Sequence, residues 1–323
     1  MSTFNVTRHL PADDSAAALR HDVLSGLTDS PKWLPPKWFY DARGSELFEE
    51  ITRLPEYYPT RAEREILAVR AKDIAALTGA RTLVELGSGS SEKTRLLIDA
   101  LRAHGTLRQY TPVDVSESAL RQAGEALLAD YPDLTVHALA ADFNQPIGLD
   151  EADAPVLLAF LGGTLGNLLP QERAAFLPTL RGDLRPGDAL LLGTDLVKDE
   201  ATLVAAYDDS AGVTAAFNKN VLTVINRELG ADFDPDAFDH VALWNAEQEW
   251  IEMRLRARHT HTVKIRALDL AVSFERGEDL RTEISAKFRE ETIRAELAAA
   301  GFTLSHCWTD PAHRFALSLA VPA

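Results

Sequence analysis

The sequence predicts an α/β protein: a doubly wound, mostly parallel sheet plus an inserted α+β lobe. Three observations carry that prediction. Between residues 81 and 196 short apolar runs alternate with helical segments, as βαβ units do. Those runs are apolar along their whole length, so neither face of the sheet is wet and helices must cover both. After Leu196 the alternation stops, and it resumes only near the C-terminus.

In chain order, residues 1–80 read mostly as helix and loop. SAAALRHDVLSGL repeats Ala and Leu at helical spacing, the two prolines of LPPKWFY break it, and GSELFEEITRL forms a second helix. Pro59 biases Tyr58 away from helical angles, so Tyr57 and Tyr58 are extended and a helix starts at about Thr60. Adjacent extended residues face opposite ways, so only one of these tyrosines points at any given site. The strands of the alternating region are RTLVELG, YTPVDVS, TVHALAADF, VLLAFLGG and DALLLGTDL. Beyond Leu196, DEATLVAAYDD and AAFNKNVLTVINREL read as helices, the second with Phe217, Val221, Val224 and Ile225 on one stripe. WIEMRLRARHTHTVKI alternates by twos, like one half-exposed antiparallel strand. The tail returns to the first texture with the helix ETIRAELAAAG and the strands LSHCWTD and FALSLAV. Residues 61–196 and 287–323 are therefore assigned to the core, and residues 1–60 and 197–286 to the second lobe.

Composition narrows the function. The 323 residues are 46% hydrophobic and 25% charged, an ordinary globular balance. With 33 basic against 49 acidic residues the net charge is −16, and no Lys/Arg run offsets it, so neither nucleic acid nor an anionic membrane is an expected partner. Cys307 is the single cysteine, which excludes an intramolecular disulfide and a CxxC redox site. No basic stretch leads into an apolar run near the start, and the longest apolar stretch, Ala154 to Leu169, is broken by Gly162, Gly163, Gly166 and Asn167. A cytoplasmic monomer is expected.

The sharpest motif is V84-E-L-G-S-G-S90, where a strand runs into a glycine turn and then a helix. Glycines there allow close backbone approach to a ligand, and the helix start favours polar or anionic groups. A dinucleotide fingerprint needs a third glycine where Glu92 stands, which argues against an NAD-dependent oxidoreductase. Glu85 instead gives the E/D-x-G-x-G pattern of S-adenosylmethionine (SAM) methyltransferases, a carboxylate beside the turn suiting an ammonium and a sulfonium. Asp114 ends the next strand, placed to bridge ribose hydroxyls; Asp142 ends the third, placed to accept from an adenine amino group, with Phe143 beside the ring. The glycines of FLGGTLGNL let Asn167 and the backbone lie against cofactor and substrate. His259 and His261 share a strand face without a third ligand nearby, so no metal is expected.

Taken together, LPPKWFYDARGSELFEEITRLPEYYPTRAE, TLVELGSGSSEKT, FLGGTLGNL, LLLGTDLVKD, AYDDSAGVTAAFNKNVL and TEISAKF resemble the histidine Nα-methyltransferases of ergothioneine synthesis over essentially the whole chain. The resemblance implies a class I methyltransferase fold with a last antiparallel strand. It implies SAM as cofactor, contacted by Gly87, Lys93, Asp114, Asp142 and Phe143, and free L-histidine as substrate. Histidine's carboxylate would meet Asn167 and Tyr207, its imidazole Glu283 and Ser285, with Tyr57 nearby; Gly162 is a further substrate-site candidate, and Met253 either lines the pocket or fills the core beside it. Tyr40 is a further candidate, offering a ring face to the growing quaternary ammonium. Read as a strand, TEISAKF puts Glu283 and Ser285 on one face, so a carboxylate and a hydroxyl converge on one small ring. An N-methyltransferase acting on another amino acid or small amine is the alternative, and a non-catalytic cofactor-binding regulator the alternative of another class.

Overall fold

A computed structural model describes residues 4–8, 14–89, 91–115, 117–141, 146–149 and 152–323. In chain order the elements begin with β1 (Phe4–Arg8), α1 (Asp14–Thr28), α2 (Ala42–Ile51) and α3 (Pro59–Thr78). The alternating region supplies β2 (Thr82–Leu86), α4 (Arg95–His104), β3 (Gln109–Asp114), α5 (Glu117–Asp130), β4 (Thr135–Ala140), β5 (Val156–Phe160), α6 (Pro170–Asp183) and β6 (Ala189–Asp195). Then come α7 (Glu200–Tyr207), α8 (Val213–Leu229), β7 (Phe238–Asn245), β8 (Trp250–Ala257), β9 (His261–Ile265), β10 (Leu270–Phe274) and β11 (Asp279–Ala286). The chain closes with α9 (Glu290–Ala299), β12 (Phe302–Thr309) and β13 (Phe315–Pro322).

Two compact units result. One takes β1, Pro59–Val197 and Phe288–Ala323; the other takes the stretch from α1 to Tyr58 and Lys198–Lys287. In the first unit an eight-stranded sheet has the order β1-β4-β3-β2-β5-β6-β13-β12. Strands β1 to β6 are parallel, while β13 runs antiparallel to β6 and β12 antiparallel to β13. From β4 to β12 this is the class I methyltransferase order with its reversed last strand. Every residue of β2, β5 and β6 is buried, as their unbroken apolar character requires. Leu83, Leu157 and Leu191 of these strands share a core with Ile66, Leu67 and Ile74 of α3 and Leu97 and Leu101 of α4. Strand order reverses between β2 and β5, and such a switch point is where open α/β sheets bind ligands, at the carboxyl ends of the strands.

Strand β1 departs from the helix-and-loop reading of residues 1–80. It extends the sheet by pairing with β4. Its five residues are half-buried or exposed and carry too short a pattern to signal a strand.

In the second unit, β11, β8 and β7 form an antiparallel sheet, and β9 and β10 a hairpin. Phe217, Val221 and Ile225 of α8 share a core with Ile251, Met253 and Leu255 of β8. The single strand expected over WIEMRLRARHTHTVKI is two, β8 and β9, separated at Arg258–Thr260. Nor is β8 half-exposed. Glu252 is buried because its carboxylate accepts from the Trp250 indole N–H at 2.8 Å and the Arg254 guanidinium at 2.6 Å, so a charged residue sits inside the sheet without being unpaired. Among the described residues no helix is long and apolar enough to cross a membrane.

Candidate functional site

At the end of β2 the chain turns through Gly87 (φ +66°) and Gly89 (φ +47°), angles only glycine adopts cheaply. The Gly87 N–H donates to the Val113 carbonyl at 2.8 Å and the Gly89 N–H to the Asp114 carboxylate at 3.3 Å, so the turn is tied to the end of β3. Both glycines are exposed, and a Cβ on Gly89 would meet nothing within 4 Å. The backbone here is open to a ligand, with a carboxylate beside it. Asp142 and Phe143 lie outside the described residues.

Glu85 does not face that ligand space. It is 4% exposed, and its carboxylate accepts from the hydroxyls of Thr94 and Tyr110, the latter also bonded to Ser91 at 2.8 Å. The expectation that this carboxylate faces a cationic ligand is therefore corrected: Glu85 staples the turn from below, joining β2, β3 and the start of α4. Burial pushes its carboxyl up from 4.5 to about 7, opposed by the Thr94 and Tyr110 hydrogen bonds, and burial likewise raises the Tyr110 phenol.

Between those two values the folded chain keeps a proton that the unfolded chain has lost. Stability therefore falls as pH rises through the window from 4.5 to about 7, by about 3 kcal/mol in total. Glu85→Gln cannot ionise. Denaturant unfolding at pH 5 and pH 8 is expected to show its stability rising relative to the parent by most of that amount, the remainder lying below pH 5, and an unchanged difference would mean that Glu85 does not titrate there.

Lys93 lies in the turn just before α4, not inside its first helical turn, and its ammonium pairs with Glu63 of α3. The other Glu63 oxygen accepts the Gly162 N–H at 2.8 Å, in the glycine turn after β5. Gly162 (φ +79°) and Gly163 (φ +73°) lead into a short 3-10 turn, Thr164–Asn167, which Asn167 ends half-buried. The first unit thus gathers Gly87, Asp114, Lys93 and Gly162 around the carboxyl ends of β2, β3 and β5. Glu63 was not anticipated; its only sequence trace is an acid in the helix after PEYYPTR.

In the second unit Tyr207 ends α7, is 8% exposed, and bonds through its hydroxyl to Ser285 Oγ at 2.7 Å. Lys287 is buried, 3% exposed, and its ammonium donates to both oxygens at 2.8 Å and lies 4.6 Å from the Tyr207 ring centre. An ammonium only donates, so both hydroxyl oxygens accept from it. One hydroxyl proton is used between Tyr207 and Ser285. The other is left for a third group, which must be an acceptor. Lys287 is the second residue the sequence reading missed, although it stands two residues beyond Ser285, in step with Glu283.

Glu283 of β11 is register partner to Met253 of β8, and Ser285 to Ile251, so these side chains share one face. Met253 is buried and Glu283 half-buried. Tyr57 is buried with its ring edge-on to Phe48 (6.2 Å) and Tyr207 (6.4 Å), while Tyr58 turns away to accept from Lys198 at 2.6 Å, as adjacent extended residues do. Tyr40 is 41% exposed and packs edge-on against Phe48 and Phe217.

Tyr207 is also held by its backbone. The Asn218 amide donates to the Arg254 carbonyl and to His240 Nδ1 at 2.9 Å, which leaves His240 Nε2–H to donate to the Tyr207 carbonyl at 2.7 Å. Burial depresses His240, keeping the imidazole neutral as this chain of bonds requires. Among the described residues no three His, Cys, Asp or Glu side chains converge as a metal site would need; the His261 ring stacks on Phe274 at 5.6 Å, and the His259 ring lies tilted against it at 5.0 Å.

Comparison with known proteins gives this geometry a family. The chain is 58% identical over 319 residues to the histidine N-alpha-methyltransferase of Mycolicibacterium smegmatis, covering 99% of each chain. It is 56% identical over 316 residues to the protein of the same name from Mycobacterium tuberculosis, covering 98% of each. It also shares 34% identity over 209 residues with ergothioneine biosynthesis protein 1 of Neurospora crassa, covering 62% of this chain and 24% of that protein. A family model described as histidine-specific, SAM-dependent methyltransferase matches residues 19–322, and the chain belongs to that family.

Proposed function

We propose that this protein methylates the α-amino group of L-histidine three times with SAM, giving hercynine, the first step of ergothioneine synthesis, and that it acts as a monomer in the cytoplasm. The observation that carries this reading is the 58% identity, across 99% of both chains, to a histidine N-alpha-methyltransferase. The residues present suit the cofactor. Asp114 offers a carboxylate for ribose hydroxyls beside a turn whose glycines leave the backbone open, and the Lys93 ammonium, 22% exposed, suits the cofactor's carboxylate.

When bound, SAM supplies the electrophilic methyl group. The protein's own contribution is alignment, which by itself is worth several powers of ten in rate. Asn167 and Tyr207 orient the histidine carboxylate, Tyr207 by turning its hydroxyl proton from Ser285 to the substrate, which leaves the Ser285 proton for the ring. Glu283 accepts one imidazole N–H, and Ser285 donates to the other nitrogen. Tyr57, Gly162 and Met253 are further candidate contacts for the substrate, and Tyr40 lends a ring face to the amine as it becomes quaternary. No side chain forms a covalent bond, and the amine proton leaves to water, either directly or through a water held by a tyrosine.

The test is mass analysis of free histidine incubated with the protein and SAM. Products bearing one, two and finally three added methyl groups are expected. Methylation of another amino acid, with histidine untouched, overturns the reading.

A further inference from the structure

We propose that Glu63 is a positioning residue of the methyl-donor site, holding the Lys93 ammonium and the Gly162 turn in one arrangement. The inference rests on the roles proposed above for Lys93 toward the cofactor and Gly162 toward histidine.

The carboxylate of Glu63 is fully buried, on a helix whose next turn carries the core residues Ile66 and Leu67. Its two oxygens are divided between two partners from distant parts of the chain. Oε1 accepts the Gly162 N–H at 2.8 Å, and Oε2 accepts from Lys93. Room for it is made on the sheet: a Cβ at Gly193 of β6 would stand 2.2 Å from Oε1. Helix α3, the turn after β5, the turn before α4 and strand β6 thus meet at one carboxylate beside the switch point.

Burying a carboxylate and an ammonium costs about as much as their attraction returns, and apolar residues of similar size often stabilise as well or better. What the pair secures is therefore geometry. A lysine carries four flexible carbons, and fixing its head beforehand removes an ordering cost from ligand binding. One ammonium proton goes to Glu63 and the other two remain for an acceptor carboxylate. The same anchor fixes the amide at which the β5 turn departs, so the donor-side cation and the Gly162 backbone are set by one group.

Three variants, Glu63→Gln, Glu63→Ala and Lys93→Met, and the double variant Glu63→Gln/Lys93→Met separate the two functions. The probes are S-adenosylhomocysteine, which carries the amino-acid carboxylate, and 5′-methylthioadenosine, which lacks it. Glu63→Gln is expected to weaken S-adenosylhomocysteine about tenfold and to leave methylthioadenosine within about twofold. In the double variant no weakening beyond that of Lys93→Met is expected, because both changes remove one interaction. Glutamine still offers an oxygen to the Gly162 N–H, so the histidine KM stays within about twofold of the parent in Glu63→Gln and rises about tenfold in Glu63→Ala.

Equal weakening of both probes, or additive effects of Glu63→Gln and Lys93→Met, would reduce Glu63 to a structural residue and overturn the proposal. If Lys93→Met weakens S-adenosylhomocysteine but Glu63→Gln does not, the positioning role alone fails. If Lys93→Met has no effect on either probe, the assignment of Lys93 to the cofactor fails and this inference falls with it. Glutamine is isosteric with glutamate, so the comparison stands even where Glu63→Ala does not fold.

Discussion

Lys287→Met is expected to raise the KM for histidine by roughly 10- to 100-fold, the cost of a charge-assisted hydrogen bond, while leaving S-adenosylhomocysteine affinity unchanged. Lys287 is 3% exposed, and its ammonium donates to Tyr207 and Ser285, so both oxygens accept from it. Without it, both oxygens lose a charged donor, and the hydroxyl protons directed at the substrate lose the cation that polarises them. Methionine fills nearly the same volume, and Tyr207 and Ser285 still pair with each other, so the fold is expected to survive the change with a melting temperature close to the parent's. That opposition separates positioning from stability. Steady-state rates over a range of histidine concentrations, beside a thermal melt, decide it: an unaltered KM refutes the role.

Lys287 and Glu63 also show where legibility in the sequence ends. The sheet was readable because its strands are continuous apolar runs closed by turn residues; β2, β5 and β6 are buried throughout. The placement of Gly87 and Asp114 at strand ends was readable because the apolar runs stop there, and the proposal that they meet a ligand follows from the rule that such ends carry ligands in this topology. Glu63 obeys no such rule. It sits among Arg61, Glu65 and Arg64 in what reads as a solvated helix face, and its partners are 30 and 99 positions away. Glu85 misled for the complementary reason: the motif gives an acid near the turn, but only the fold shows Thr94 and Tyr110 closing over it. Strand β9 was fused to β8 because the intervening Arg258–Thr260 contains neither Gly nor Pro to mark a turn. Only the folded chain brings Glu63 to Lys93 and Gly162, and Lys287 to Tyr207.

The double variant Glu283→Leu/Ser285→Ala is expected to lower kcat/KM for histidine by at least about 10³-fold, since a site that pairs a substrate's polar groups discriminates by 10⁴ to 10⁵ against analogues lacking them. A neutral imidazole has one N–H donor and one acceptor nitrogen, and a carboxylate and a directed hydroxyl on one strand face match the two. Their common face follows from the register of β11 on β8, where Glu283 lies opposite Met253 and Ser285 opposite Ile251. Removing both groups leaves an apolar wall with Met253, which should favour amino acids with apolar side chains relative to histidine. The single change Glu283→Leu serves as control for the fold, because it leaves the Tyr207–Ser285–Lys287 cluster intact. Competition between histidine and phenylalanine for one pool of SAM measures the ratio directly. Should the double variant rank the two as the parent does, recognition of the ring lies elsewhere, and the match between this strand face and an imidazole is incidental.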